Sequence, residues 1–474
     1  MDMNRIDSND IEGRRYDVII VGGGIAGIFA GYELASKNKK ISIAIFEQGN
    51  DINKRSCPII EKKVAACINC RSCDIMRGFG GTGAFSDGKF NFTTKYGGWL
   101  NEYLPDEELM ELIEYVDSVN VKFGATEEVF STFSPHAEKI RKKALGFDLH
   151  LLDGRCKHLG TENNKVILAR QEEWLKKNID IRCNLKVKNI EQSDEKDYGY
   201  KLITSQGEYL CRYLIVAPGR SGAEWFSGQC RNLGLEMINN QVDVGVRIEL
   251  PAAVFKDITD TMYEAKLQYR TKQYKDLVRT FCMNPYGYVV TENTDGIITV
   301  NGHSYSDPEL RSENTNFAIL VSNKFTSPFK EPYQYGKRIA TLSNLLGGGI
   351  IVQRFGDLID GRRSNDHRIE QSFVKPTLQA TPGDLSLVLP KRHLDNIIEM
   401  IYTLDKIAPG TANPDTLLYG VEVKFYSSRL NLTSELETPM KNMYAIGDGA
   451  GITRGLSQAG ASGIIAARSI LKRF

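Results

Sequence analysis

Residues 16–27, Tyr-Asp-Val-Ile-Ile-Val-Gly-Gly-Gly-Ile-Ala-Gly, constrain the fold of this chain more than any other stretch. Val18 to Val21 form a continuous apolar run, the pattern of a strand buried on both faces of a parallel sheet. Gly22, Gly24 and Gly27 follow in G-x-G-x-x-G spacing, and a helical pattern runs from Ile25 to about Ser36. Each position has a mechanical reading. Gly22 allows a tight turn, Gly24 lets the backbone approach a pyrophosphate, and Gly27 lets the helix lie close to the strand. The helix start at Ile25 and Ala26 then offers amides and a positive dipole end to phosphates. A second strand, Ile41 to Phe46, runs into Glu47 and Gln48. Glu47 lies 20 residues beyond Gly27, where a carboxylate accepts a ribose 2′-hydroxyl.

The far end of the chain points to one kind of dinucleotide. Residues 443–449, Met-Tyr-Ala-Ile-Gly-Asp-Gly, read as a short apolar strand ending in Gly447-Asp448, and a helical stretch follows from about Ser457 to Leu471. This resembles the closing motif of the FAD flavoproteins related to glutathione and thioredoxin reductase. The resemblance implies that Asp448 binds the ribityl chain. It also implies that amides near Gly455, Leu456 and Ser457 face the flavin N1–C2=O edge, where a helix N-terminus stabilises negative charge. Leu214 to Gly222 resembles the strand and turn that return to the FAD domain, with Ala217-Pro218-Gly219 at the turn, so Ala217 and Gly219 join the expected cofactor contacts. In such folds the backbone near Val187, within Ile181 to Ile190, contacts adenine. The four pieces occur in the expected order, and FAD is the expected cofactor.

Length suggests two to four domains, at roughly 150 residues each. Lys and Arg number 60 and Asp and Glu 59, so neither a nucleic-acid nor a membrane-surface partner is expected. No apolar run reaches membrane-spanning length. Residues 1–15 are polar and read as a flexible leader, and a cytoplasmic location is expected. Val242 to Leu250 alternates, and Tyr288 to Thr291 and Ile297 to Val300 are short β-branched runs. The expected fold class is α/β. Residues 16–224 plus 436–474 form a Rossmann-like FAD-binding domain, and 225–435 form an inserted substrate domain on a mixed or antiparallel sheet.

Three stretches could carry chemistry. Residues 78–89, Gly-Phe-Gly-Gly-Thr-Gly-Ala-Phe-Ser-Asp-Gly-Lys, are dense in glycine, which allows close backbone approach and exposes amide donors. In flavoproteins of this type the loop after the second strand runs along the flavin. Gly81, Thr82, Gly83 and Ser86 are therefore expected at the cofactor, with Asp87 and Lys89 near flavin N5. The competing reading is a solvated surface turn. The second stretch is Cys67-Ile-Asn-Cys70-Arg-Ser-Cys73, with Cys57 upstream. Its spacing fits a zinc or iron–sulfur site, a redox-active C-x-x-C pair, or packed reduced thiols. The third is a polar set. Arg247 and Glu249 share one side of a strand, and Glu422, Lys424 and Tyr426 alternate along another. Such alternation commonly marks a solvated sheet face. A site reading arises because Glu422, Tyr426 and Arg454 flank the closing segment, and a cationic Arg there suits an anionic substrate. Lys89, Asp87, Glu422 and Tyr426 are the acid–base candidates.

With these residues in hand, the chain resembles the bacterial FAD-dependent dehydrogenases, also called NAD-utilising dehydrogenases. The similar parts are Tyr16–Gly27, Gly78–Lys89, Asp243–Pro251, Arg279–Val290, Leu418–Tyr426 and Tyr444–Gly463. The resemblance implies hydride transfer between flavin N5 and a small organic substrate, as a dehydrogenase or C=C reductase. A flavin monooxygenase of the aromatic-hydroxylase type and a non-catalytic FAD- or NAD-sensing protein are the alternatives. A second nucleotide unit is not expected, because Gly347-Gly348-Gly349 follows a helical pattern. NAD(P)H, if it is the reductant, would dock in the substrate pocket.

Overall fold

The computed structural model describes residues 14–474 apart from 62, 65, 66, 69, 239, 295, 324, 326–330 and 426. Most of the expected leader and the acid–base candidate Tyr426 lie outside the described residues.

Two sheets organise the chain. The first has the strand order Asp180–Arg182, Ile43–Phe46, Arg15–Val21, Gly207–Val216, Tyr200–Thr204, Val187–Gln192, with Met443–Ala445 also paired to Gly207–Val216. The pairs made by Arg15–Val21 are parallel, as is the pair with Met443–Ala445. Helix Ile25–Lys37 crosses between the first two strands in the sequence, and helix Leu456–Leu471 packs against it. Val18, Ile19 and Ile20 are fully buried, which is why their run is apolar without alternation.

The second sheet has eight strands, in the order Thr381–Pro382, Ile351–Arg354, Leu417–Phe425, Val242–Pro251, Asn314–Asn323, Leu277–Asn284, Leu267–Arg270, Leu149–Leu151. All its pairs are antiparallel except the one between Ile351–Arg354 and Thr381–Pro382. The fold is therefore α/β, with a Rossmann-like domain and a mixed sheet inserted before the closing segment. The chain visits the second sheet earlier than expected. Strand Leu149–Leu151 forms its edge, and helix Pro135–Leu145 adds Ala137 and Ala144 to its core. Ser134 caps that helix, its Oγ accepting from the Ala137 amide at 3.1 Å, with Pro135 at the first turn. Residues 135–151 thus leave the unit to which 16–224 was assigned. Among the described residues no helix is long and apolar enough to cross a membrane.

Strand Val242–Pro251 sits centrally in the second sheet. Val242, Val244, Val246, Ile248 and Leu250 point into its apolar core, while Asp243, Arg247 and Glu249 lie on the opposite face. That face is not solvated, contrary to the expectation from alternation. All three side chains are fully buried, because the Leu417–Phe425 and Asn314–Asn323 strands flank them and supply polar partners.

Candidate cofactor and substrate site

The carboxyl ends of the central parallel strands meet at the first glycine turn. Gly22 donates to Phe46 O at 2.8 Å and Ala217 donates to Val21 O at 2.8 Å. Gly22 has φ +111°, and a Cβ there would lie 2.1 Å from Ala217 O. A Cβ on Gly27 would lie 2.0 Å from Gly22 O, so this position serves helix–strand contact and not the ligand. The first bond of the helix runs from Ile28 N to Gly24 O. The amides of Ile25, Ala26 and Gly27 therefore precede any helical acceptor.

Glu47 is buried, and its carboxylate is shared among three backbone donors. Oε2 accepts from Gly23 N at 2.8 Å, and Oε1 accepts from Gly49 N and Gly78 N, both at 2.9 Å. It holds the two glycine segments together while still facing the cavity. The second segment is clamped further by Gly80 N to Gly23 O at 2.8 Å. Arg55, which the sequence did not single out, is the main anchor. Its guanidinium donates to the carbonyls of Asp74, Ile75, Phe79 and Gly81, at 2.6 to 3.0 Å. Burial pushes its pKa down to about 10, so it stays cationic at neutral pH.

These parts line one cavity of about 480 Å³. Gly22, Gly24, Ile25, Ala26, Glu47, Gln48, Gly81, Thr82, Gly83, Ser86, Val187, Ala217, Gly219, Gly447, Asp448, Gly455 and Leu456 all face it. Of the expected cofactor residues, Gly27 and Ser457 do not line it; Ser457 is buried one position into the closing helix. Ala459 N bonds Gly455 O at 2.9 Å, leaving the preceding helix-start amides directed along the axis toward the cavity end. Asp448 accepts from Thr453 Oγ1 at 2.7 Å. Burial raises its pKa, against the pull of Arg454 and Arg220. The donor set fits an extended dinucleotide. Helix-start amides and a side-chain-free turn at Gly24 suit the pyrophosphate, the half-buried Asp448 carboxylate suits a hydroxylated linker, and a second helix N-terminus suits an electron-rich ring edge.

Beyond the cofactor end the cavity reaches a buried charged set. Asp87 and Lys89 line it, and so do Glu264 and Lys266. Lys89 Nζ lies 3.1 Å from Asp87 Oδ2 and donates to Asn284 Oδ1 at 3.0 Å and to Met283 O. Burial pushes the Lys89 pKa down, but Asp87, Cys282 and Glu264 push it further up, well above its ordinary value. Lys89 is thus a fixed cation. Glu264 pairs with Lys266, and its pKa falls to about 2: burial raises it, and Lys266 and Lys89 more than reverse that. Behind Asp87, Ser304 Oγ bonds Asp87 Oδ2 at 3.3 Å and His158 Nε2 at 3.2 Å, and Tyr263 OH bonds Ser304 at 2.7 Å. Burial lowers the His158 pKa to about 4, so the ring is neutral near pH 7.

Glu422 does not line the cavity. It is fully buried behind it, paired with Arg247 Nε at 2.8 Å and Lys424 Nζ at 2.7 Å. Its placement is that of a positioning residue, unlike the acid–base role expected of it. Lys424 does face the cavity. Lys266 and Lys424 flank the Phe281 ring, with Nζ 4.3 and 5.6 Å from its centroid. Arg247 also donates to Asn316 Oδ1 at 2.7 Å and Asn301 Oδ1 at 3.2 Å, and Asn301 donates to Glu292 at 2.6 Å. Glu292 pairs with Arg220 at 3.4 Å, and its pKa falls to about 2 because Arg220 and Lys424 outweigh burial. Glu264 and Lys266 went unread in the sequence. Their signal was an acid–small–base triplet, Glu-Ala-Lys, just before the strand Leu267–Arg270.

The four clustered cysteines are free thiols and form no compact ligand set. Among the described residues, no three of their sulfurs come within 4.8 Å of one another.

Residues 241–425 match a family model described as FAD-dependent protein, C-terminal domain-like, and residues 20–57 match one described as NAD(P)-binding Rossmann-like domain. These matches support an FAD-dependent protein with a Rossmann-like nucleotide domain. They do not tie it to the glutathione-reductase type in particular. A curated protein of Clostridium beijerinckii, described as an uncharacterized protein, is 28% identical over 479 residues, covering 96% of this chain and 81% of the relative. Among solved structures, glycine oxidase from Geobacillus kaustophilus is 12% identical with a TM-score of 0.40, covering 97% of this chain and 95% of that one. L-proline dehydrogenase from P. horikoshii is 10% identical with a TM-score of 0.40, covering 97% and 94%.

Proposed function

We propose that this chain is an FAD-dependent oxidoreductase that moves a hydride between flavin N5 and a small anionic substrate. The observation that carries the reading is one continuous cavity. It begins at two glycine turns suited to a dinucleotide and ends at the buried charges of Asp87, Lys89, Glu264, Lys266 and Lys424. FAD, when bound, supplies hydride transfer at N5; the chain supplies position and charge.

The roles follow from geometry. The amides of Ile25 and Ala26 hold the pyrophosphate, and Glu47 stiffens the loop that carries it. Asp448 holds the ribityl chain, a role resting on its likeness to glutathione-reductase-type flavoproteins. Lys89 is locked as a cation and orients the Asp87 carboxylate in place of removing a proton. Lys424 and Arg247 share the single carboxylate of Glu422, which leaves positive charge at the cavity wall beside Phe281. An anionic substrate lying along that ring meets Lys424 and Lys266. The proton that accompanies a hydride has a route through Asp87, Ser304 and neutral His158.

Flavin analysis tests the first part. The purified protein is expected to carry, or take up, FAD; Asp448→Ala and Gly24→Val are expected to weaken retention tenfold or more. Protein that neither holds nor takes up FAD ends the proposal. Substrate class is read by anaerobic flavin bleaching with a panel of small carboxylates and their uncharged amides. Carboxylates are expected to react, and Lys424→Gln to raise the concentration they require. Equal reaction of the amides removes the anionic reading and keeps the oxidoreductase.

A further inference from the structure

The wall that carries Lys424 continues, through hydrogen-bonded side chains, to the cofactor turn. Arg220 lines the cavity next to Gly219 and pairs with Glu292 at 3.4 Å. Glu292 Oε1 accepts from Asn301 Nδ2 at 2.6 Å, and Asn301 Oδ1 accepts from Arg247 Nη2 at 3.2 Å. Arg247 donates to both oxygens of Glu422, at 2.8 and 3.1 Å, and Glu422 holds Lys424 at 2.7 Å. Glu292 and Asn301 come from the paired strands Tyr288–Thr294 and Ile297–His303. Asn301 stands opposite Val290 there, which makes Glu292 its diagonal neighbour. The hairpin rests closely on the layer below, since a Cβ at Gly302 would lie 2.5 Å from Arg247 Nη1.

Charge alternates along this set except at one place. Among the described residues the set holds three cations, Arg220, Arg247 and Lys424, and two carboxylates, Glu292 and Glu422. The other charges at the substrate end cancel, Asp87 against Lys89 and Glu264 against Lys266. One positive charge is left over. Arg247 and Glu422 are fully buried, so water does little to disperse it. The neutral link is Asn301. Its amide donates to a carboxylate and at the same time accepts from a guanidinium, and from Gly302 N at 2.9 Å. No charged side chain offers both a donor and an acceptor. Asn301 also lines the cavity, so a ligand meets it directly.

We propose that Asn301 determines the charge of the ligand this cavity selects. As the neutral member of the set it keeps one cation in excess, and a single negative charge on the ligand balances that cation. A carboxylate at the same position makes the set neutral and favours an uncharged ligand of the same shape. The inference rests on the anionic substrate proposed above. It adds which residue sets the preference, and that the preference is for one charge.

The test compares isosteric pairs, benzoate with benzamide and propionate with propionamide, on the flavin-loaded full chain. Mildly alkaline buffer keeps the carboxylates ionised. Binding is read from the shift of the flavin spectrum, so no turnover is needed, and the quantity of interest is the affinity ratio of anion to amide. Asn301→Asp is expected to lower that ratio about tenfold, and Glu292→Gln, which removes a negative charge from the residue Asn301 touches, to raise it about threefold. Asn301→Leu breaks the hydrogen bonds but keeps the charge count. It is expected to weaken both ligands and to leave their ratio within about twofold of wild type. Opposite shifts at two touching positions are not the signature of lost packing, which moves both the same way. A ratio lowered equally by Asn301→Asp and Asn301→Leu, or lowered by Glu292→Gln, overturns the inference. If Asn301→Asp does not hold flavin, the direction of Glu292→Gln decides. Wild-type protein that cannot be loaded with flavin, or that binds anion and amide alike, ends the reading above and this inference with it. A wild-type preference for the anion that neither charge variant moves ends this inference alone.

Discussion

The two sheets bury their central strands by opposite means. The buried part of Arg15–Val21 is an unbroken apolar run, with Val18, Ile19 and Ile20 fully buried. Val242–Pro251 is buried along almost its whole length, yet every second residue of its middle is charged or glycine. Asp243 pairs with Arg279, Arg247 with Glu422, and Glu249 bonds Tyr419, Thr377 and Asn314. Alternation therefore reports the polarity of what covers a strand, not its contact with water. A buried charge persists only where it is paired and hydrogen-bonded. In the second sheet those partners form a layer that ends at the cavity through Lys424 and Asn301.

Substitutions can break this contrast. The largest effect is expected from Arg247→Ala, which strips Glu422 of its buried guanidinium and leaves Asn316 and Asn301 short of a donor. The expected loss is about 4 kcal/mol in urea unfolding, with the Arg247→Met, Glu422→Leu double variant recovering more than half of it. A loss under about 1 kcal/mol would mean that the polar layer is not held by its charges.

Next is acid. Burial lowers the pKa of both His158 and His393 to about 4, from 6.5. The unfolded chain takes up these protons first as pH falls, so the contribution is whole above pH 6.5 and drains between 6.5 and 4. For His158 it amounts to about 3 kcal/mol, and His158→Gln should flatten that part of the stability–pH curve. An unchanged slope would show that His158 is charged in the native state.

A smaller effect belongs to the apolar sheet. Ile19→Val should cost about 1 kcal/mol, by the same amount at pH 5 and pH 7.5, because Ile19 is fully buried and lies opposite apolar Leu214 and Ala44 on the flanking strands. Smallest is Lys391→Ala. Its ion pair with Asp395 at 2.7 Å is exposed, and no measurable change in the unfolding midpoint is expected. Buried in a hydrogen-bonded network or exposed on a helix, an ion pair should therefore mark the two ends of the range.

What the sequence made legible was local. The first glycine turn, the Gly447-Asp448 turn and the 78–89 loop are backbone geometries written in consecutive residues, and the structure sets all three around one cavity. Arg55 has no such signature. Its importance lies in carbonyls 19 to 26 residues away, and a lone Arg before Ser-Cys-Pro looks like any surface cation. Strand Leu149–Leu151 was equally hidden, since its partner Leu267–Arg270 is more than a hundred residues on and three residues carry almost no periodicity. Glu422 was noticed for its charge and its place near the closing segment. Only the fold could show that Arg247 and Lys424 already claim it.

Helix Leu456–Leu471 completes the unit that helix Ile25–Lys37 begins, with the whole second sheet threaded between them. This bears on how the chain is made. The first glycine turn leaves the ribosome early, but its helix lacks the largest of the surfaces it packs on until residue 471 has been added. At ordinary elongation rates that wait is on the order of half a minute. Through it, Phe29 lacks the part of its cover that the closing helix provides at Gly460, while the second sheet, whose strands all lie upstream of residue 426, can already close. The inserted half should therefore be the first to resist protease on arrested nascent chains. Stable cofactor loading should belong to the finished polypeptide, and a nascent chain stalled before residue 456 should expose its N-terminal helix to chaperones.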